Sequence, residues 1–258
     1  MPQSKKLRRP DGQTIAYRMR AGNASRSDQV GIIWMGGFNS DMTGTKASAL
    51  DDWAAAARRR FIRFDYSGHG ESSGAFINGT IGLWTQDALA VLDELAQGPQ
   101  ILVGSSMGGW IAIQAALARP ERVKGMVLVA PAPDFTEDLM WAEFPDAIKT
   151  ELQEKGVCEL PSDYDEEPYL ISMNLIEEGR RHLVLRGPIS LTCPIRILHG
   201  LEDKDVPWQR SLLLVDQLTG ENTSVTFVKG AGHRMSEDAD IERLTDMVDK
   251  LCRAVDQH

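Results

Sequence analysis

The sequence is short of the features that would assign a protein at a glance. Its 3 cysteines, at positions 158, 193 and 252, match no metal-ligand spacing, and an odd number cannot all pair within one chain. Reduced, structural thiols are expected. No stretch of eighteen apolar residues occurs, which removes a membrane-spanning helix, and no repeat or low-complexity tract is present. Basic residues are the minority, 28 against 37 acidic ones, for a net charge of -9. Such a chain is poorly suited to phosphate backbones, so no nucleic-acid partner is expected. Residues 1–10 carry lysines and arginines with no apolar stretch behind them, hence no secretory signal, and a strand pattern begins almost at once. A cytoplasmic location is expected.

What is present describes a globular protein. Hydrophobic residues make up 42% and charged residues 25% of 258 positions, a length that one large α/β domain commonly reaches. The acidic excess is local. Residues 134–192 hold 14 acidic and 5 basic side chains, leaving 23 of each sign elsewhere.

The chain opens as a hairpin, residues 6–9 and 13–19 about a Pro10-Asp11-Gly12 turn. Apolar strands then alternate with helices: strand 30–35, helix 46–58, strand 60–65, helix 83–96, strand 100–104, helix 110–118, strand 123–130. Short buried strands separated by helices predict a mostly parallel sheet covered on both faces. The rhythm stops at Pro131-Ala132-Pro133 and resumes at Cys193-Pro194 with strand 195–199, helix 208–218, strand 224–229 and helix 238–255. About sixty residues intervene, an insert too long to be a plain connection. Residues 134–192 are expected to form a helical cap over the carboxyl ends of the strands. Residues 1–133 and 193–258 would form the core.

The pattern G-x-S-x-G occurs twice, around Ser106 and around Ser72. By composition alone it arises in roughly one chain of this length in ten, so context decides. A nucleophile elbow needs a strand entering the serine and a helix leaving it, because the sharp turn lifts the hydroxyl above the sheet edge. Ser106 has both, with glycines at 104, 108 and 109; Ser72 lies among loop residues, and Ser105 fits no such turn. A serine hydroxyl needs a base held by a carboxylate. His233, in Gly230-Ala231-Gly232-His233-Arg234 just past the last strand, is placed to swing over the sheet edge. His69, His182, His199 and the terminal His258 are less well placed. The carboxylate should follow strand 195–199, where Asp203 is favoured and Asp205 is the runner-up; either could cap the next helix instead. The amides of Met107 and of Phe38, in Gly36-Gly37-Phe38-Asn39, are the expected donors to a developing oxyanion.

Together these residues resemble the α/β-hydrolase superfamily over nearly the whole chain. Asp65-Tyr66-Ser67-Gly68-His69-Gly70-Glu71-Ser72 is similar to its D-x-x-G-x-G-x-S loop, which accounts for the second pentapeptide. One departure is Gly36-Gly37, where many members have His-Gly. Several stretches outside the site, among them Gly98-Pro99-Gln100-Ile101-Leu102-Val103, Cys193-Pro194-Ile195-Arg196 and Val206-Pro207-Trp208, are similar to a subgroup of mitochondrial palmitoyl-protein thioesterases that also act on acyl-glucuronides. The resemblance implies an α/β-hydrolase fold, with an eight-stranded, mostly parallel sheet and the cap inserted after strand 6. It also implies a serine hydrolase of esters or thioesters.

The expected reaction passes through an acyl-enzyme on Ser106 and requires no metal or organic cofactor. The partner is a small-molecule or acylated-protein ester or thioester. Trp141 and Phe144, large apolar groups of the cap, are the expected substrate contacts. Arg180 and Arg181 are candidates for pairing with a glucuronide carboxylate, or form a solvated helix end. Hydrolysis of a lactone, peptide or carbon-carbon bond uses the same constellation, and a ligand-binding relative without turnover remains a third reading.

Overall fold

A computed structural model describes residues 3–23, 29–160 and 168–257; His258 lies outside the described residues. Eight strands form one sheet: β1 (Lys5–Arg8), β2 (Thr14–Arg20), β3 (Gly31–Met35), β4 (Phe61–Phe64), β5 (Gln100–Ser105), β6 (Val123–Val129), β9 (Ile195–Gly200) and β10 (Thr223–Val228). Their spatial order is β1-β2-β4-β3-β5-β6-β9-β10. The pairs β1·β2 and β2·β4 are antiparallel and all others parallel.

The central strands bury both faces, so they read as continuous apolar runs, yet their side chains still alternate. Ile33, Met35, Leu102, Met126 and Leu128 join one core layer. Ile32, Trp34, Ile101, Val103, Val127 and Val129 join the other. Helices α2 (Ile81–Ala90), α3 (Met107–Ala118) and α6 (Gln209–Gln217) cover the first face, with Trp84, Trp110 and Leu214 pointing into it. Helices α1 (Thr45–Ala57) and α7 (Asp238–Val255) cover the second through Ala47, Leu50, Leu244 and Val248.

Element bounds match the sequence reading to within a few residues, with one instructive gap. Helix α3 begins at Met107, three residues before its expected start. Gly108 and Gly109 conceal that start, being poor helix formers. A Cβ on Gly108 would overlap the carbonyl oxygens of Met35 and Gly36, so the glycine lets the helix press against the end of β3.

Between β6 and β9 lie a π-helical turn (Thr136–Trp141), α4 (Asp146–Lys155), β7 (Val157–Leu160), β8 (Tyr169–Ser172), α5 (Met173–Gly179) and a 3₁₀ turn (Arg180–His182). The antiparallel hairpin of β7 and β8 adds a strand pair to an otherwise helical insert. Leu152, Cys158, Ile171 and Ile176 give the insert a small core of its own. Polar ties fasten it to the sheet domain. The insert's two ends are also tied to each other, the buried Asp134 carboxylate accepting the amides of Val184 and Leu185 at 2.8 and 2.9 Å. Arg210 on α6 donates to Asp138 and to the Pro133 carbonyl, both at 2.8 Å. Glu178 accepts the Gly82 amide at the start of α2, and Trp110 donates to the His182 carbonyl, both at 3.0 Å. Among the described residues, no helix is long and apolar enough to cross a membrane.

Candidate active site

The site is assembled from four loops at the carboxyl ends of β3, β5, β9 and β10. Ser106 occupies the turn between β5 and α3 at φ 54° and ψ -118°. A side chain held there costs about 1–3 kcal/mol, which surrounding bonds must offset. Its amide donates to Val129 at 2.9 Å, and its carbonyl accepts the amides of Gly109 at 2.9 Å and Ala132 at 3.1 Å. The turn is thereby fixed by both flanking segments.

His233 Nε2 lies 3.0 Å from Ser106 Oγ, and its Nδ1 lies 2.8 Å from Asp203 Oδ2. An ionised carboxylate only accepts, so Nδ1 carries the proton and Nε2 is left to accept from the serine hydroxyl. Close packing of the β9 and β10 loops makes this contact possible. A Cβ on Gly200 would overlap the Ala231 carbonyl, and the Glu202 amide donates to that carbonyl at 2.9 Å.

Asp203 is buried and fully bonded. Its Oδ1 accepts the amides of Asp205 at 3.0 Å and Val206 at 2.8 Å, and its Oδ2 also accepts His199 Nε2 at 3.1 Å. Burial acts to raise its pKa, but hydrogen bonds from His199 and His233, then that from Val206, prevail and hold it well below the usual carboxylate range. His199 in turn is held by Ser211 Oγ at 2.7 Å and the Val206 carbonyl at 3.0 Å. Asp205, the runner-up in sequence, contributes its backbone amide here while its side chain faces the rim. Asp203, Asp205 and His233 are also the one group of metal-ligand side chains within mutual reach among the described residues. The bonds just described already occupy both oxygens of Asp203.

The β3–α1 loop forms the other wall. Gly37 to Ser40 is a turn closed by Ser40, whose amide and hydroxyl both donate to the Gly37 carbonyl, at 3.3 and 2.9 Å. Asn39 stands third in the turn at φ 52°, the left-handed region that a type II turn demands there and that asparagine tolerates. This turn lies directly against Ser106; a Cβ placed on Gly37 would sit 3.5 Å from that of the serine, an ordinary van der Waals contact. Phe38 N shares a peptide plane with the carbonyl that Ser40 holds. Met107 N is the first amide of α3, among those without an intrahelical acceptor.

A cavity of about 560 Å³ opens above Ser106. Phe38, Phe135, Leu139, Met140, Tyr169 and Ile171 make its apolar side, and Asn39, Lys46, Asp205, Arg234 and Ser236 its polar side. The Lys46 ammonium donates to the Arg234 carbonyl, next to His233. Burial and the neighbouring Arg234 charge lower the Lys46 pKa to about 8.

The structure thus brings Ser106, Asp203 and His233 together beside Phe38 and Met107, but it moves the expected substrate contacts elsewhere. Trp141 and Phe144 do not line the cavity; they pack on the insert's own core, and Trp141 lies under the guanidinium of Arg180 at 5.0 Å. Arg180 is further engaged by Glu137 at 2.6 Å, and neither it nor Arg181 lines the cavity. The π-helical turn presents Leu139 and Met140 inward and Trp141 sideways, a direction that residue size cannot reveal. His199 and His69 are supports that sequence reasoning passed over. A histidine closing the strand before the candidate acid, His199, was the available signal for the first.

The sequence pattern described as the alpha/beta hydrolase family matches residues 34–246. This chain belongs to the α/β-hydrolase family. It is 42% identical over 254 residues to the mitochondrial palmitoyl-protein thioesterase ABHD10 of Homo sapiens, covering 96% of this chain and 81% of that one. The crystal structure of a protein from Agrobacterium vitis S4 superposes with a TM-score of 0.92 at 42% identity, over 97% of this chain and 98% of the other. Alpha/beta hydrolase domain-containing protein 10 from mouse gives 0.89 at 39% identity, over 98% and 99%. The expected cytoplasmic location is corrected by these findings: the human relative is designated mitochondrial. The pattern of residues 1–10 bears only on the secretory route and does not decide between other compartments.

Proposed function

We propose that the protein is a serine hydrolase of thioesters and esters that works through an acyl-enzyme on Ser106. The observation that carries this reading is the chain of contacts from Ser106 Oγ to His233 Nε2 and from His233 Nδ1 to Asp203, at 3.0 and 2.8 Å, on the floor of a largely apolar cavity. The hydroxyl attacks the acyl carbonyl while His233 takes its proton, and Asp203 stabilises the imidazolium and fixes its tautomer. The amides of Phe38 and Met107 stabilise the oxyanion. His233 then protonates the departing thiolate or alkoxide. Water, activated by the same imidazole, releases the acid and restores the serine.

Residues 134–192 act as a cap over the core of 1–133 and 193–258. The apolar wall beneath this cap receives the acyl chain, and the likeness to a palmitoyl-protein thioesterase favours a long acyl thioester over lactones, peptides or carbon-carbon bonds. Comparing wild type with Ser106→Ala on p-nitrophenyl esters and acyl-thioesters of graded length, with a fluorophosphonate probe alongside, tests the reading. Loss of turnover by about 10³-fold or more, together with loss of labelling, is expected. Full activity in the alanine variant would overturn it.

A further inference from the structure

His69 takes no part in the proton path, yet it is buried 4% exposed beside the turn that carries Phe38. Its Nε2 lies 3.3 Å from the Asn39 amide, and its Nδ1 lies 3.3 Å from the Ser67 carbonyl. An amide N–H can only donate and a carbonyl can only accept. Both ring nitrogens therefore have assigned roles: the proton sits on Nδ1, and Nε2 offers its lone pair to Asn39. A second proton on Nε2 would face the Asn39 N–H. Burial also lowers the imidazole pKa to about 4, so the ring stays neutral in ordinary buffers.

The ring has little freedom to leave this geometry. Phe76, Trp84 and Tyr66 surround it edge-on with centroids 5.1, 5.2 and 5.7 Å away. The Ser67 carbonyl that receives Nδ1 is itself held by Trp84 Nε1 at 3.0 Å, and the Ser67 amide is held by Asp87 at 2.7 Å. The histidine thus transmits the position of a rigid loop after β4 to the loop after β3.

We propose that His69 is a positioning residue for the oxyanion-binding amide of Phe38, holding the Gly37–Ser40 turn by accepting the Asn39 N–H on its unprotonated Nε2. The inference rests on the hydrolase reading above. Ser40 fixes the peptide before Phe38 through the Gly37 carbonyl, and His69 fixes the peptide after it through the Asn39 amide. Phe38 is pinned on both sides, so its N–H does not reorient when charge develops on the substrate oxygen, the condition under which such a donor is most effective.

The test pairs His69→Gln, whose side-chain oxygen can still accept from Asn39, with His69→Leu, which cannot. For His69→Leu, kcat is expected to fall about tenfold with KM within twofold, less than the 10²- to 10³-fold that loss of a whole donor costs. Inhibition by an acyl trifluoromethyl ketone, whose Ser106 hemiketal places an oxyanion at the same amides, should weaken by the same factor. His69→Gln should stay within threefold of wild type in both. Equal losses in the two variants, or a melting-temperature drop in the leucine variant with kcat and inhibition unchanged, would overturn the proposal. Should His69→Leu fail to fold, the tautomer in the intact protein decides. Nitrogen-15 NMR of histidine-labelled wild type at pH 7 is expected to find Nδ1 protonated and Nε2 bare at His69; a proton on Nε2 overturns the idea. A Ser106→Ala enzyme that retained turnover would sink the underlying reading while leaving this tautomer result intact, so the two failures are separable.

Discussion

The floor of the cavity and its roof are built by opposite means. On the floor each group is held by directional bonds: Asp203 accepts four hydrogen bonds, from His199, His233, Asp205 and Val206, and the Ser106 turn is fixed by Val129, Gly109 and Ala132. The roof meets the cavity through Leu139, Met140, Tyr169 and Ile171, apolar side chains that offer shape and little direction. Its polar ties lie at its roots, where Asp138 and Glu178 bind Arg210 and Gly82 of the core. Reaction geometry tolerates errors of a fraction of an ångström, whereas an acyl chain needs only a dry, correctly sized space. The division suggests that substitutions on the floor change rate for every substrate, and those on the roof change the ranking among substrates.

The largest departure is expected at Asp203. Asp203→Asn preserves the volume of the group but offers His233 an amide in place of an acceptor-only carboxylate, so the imidazole can take the wrong tautomer. A fall in kcat of about 10⁴-fold is expected, similar across acyl lengths, with KM little changed. Acid titration supplies a second measurement. The folded pKa of Asp203 lies below its unfolded value of about 3.9, so its contribution to stability is present above that pH and is lost as pH falls towards the folded value. Wild-type stability should therefore decline below about pH 4 more steeply than that of the asparagine variant. A variant with near-normal kcat would show that the floor does not depend on this carboxylate.

The same division explains what the sequence could disclose. Ser106 was legible because an apolar strand, a glycine-flanked serine and an apolar helix are consecutive, and the chemistry of the turn is local. His233 and Asp203 were legible through order, each standing in the loop after a recognisable strand. The supports were not. His69 meets Asn39 across 30 positions, a contact that no local pattern encodes, and His199, although it closes the strand before Asp203, is itself held by Ser211 across a loop. The hairpin of β7 and β8 was hidden for another reason: each strand has only four residues, one contains Glu159, and both sit in a strongly acidic stretch that reads as solvated loop or helix. Trp141 and Phe144 stand out by size, and size does not fix which way a turn of helix points.

A roof substitution should act on the ranking alone. Leu139 lines the cavity and is only partly buried, so tryptophan there narrows the apolar space without opening the insert's core. For Leu139→Trp, kcat/KM toward a long-chain acyl-thioester is expected to fall about tenfold relative to an acetyl ester, the size of effect that pocket volume produces. Equal losses for long and short acyl groups would place Leu139 with the floor and blur the comparison.

The smallest effect is expected just two residues away. Trp141 belongs to the roof in sequence but not to the cavity surface, and its ring is committed to the insert's core and to Arg180. Trp141→Ala should cost about 1 kcal/mol of stability through lost packing and the lost cation–π contact, read as a lower melting temperature. Activity is expected to stay within about a factor of two for both long and short acyl groups, because no wall of the cavity has moved. This pairs with Leu139→Trp as a control on direction: two neighbouring residues of one turn, one changing selectivity at little cost in stability and the other the reverse. A long-chain defect in Trp141→Ala matching that of Leu139→Trp would mean that the roof acts as one deformable unit, its inner lining set by the packing of its outer side.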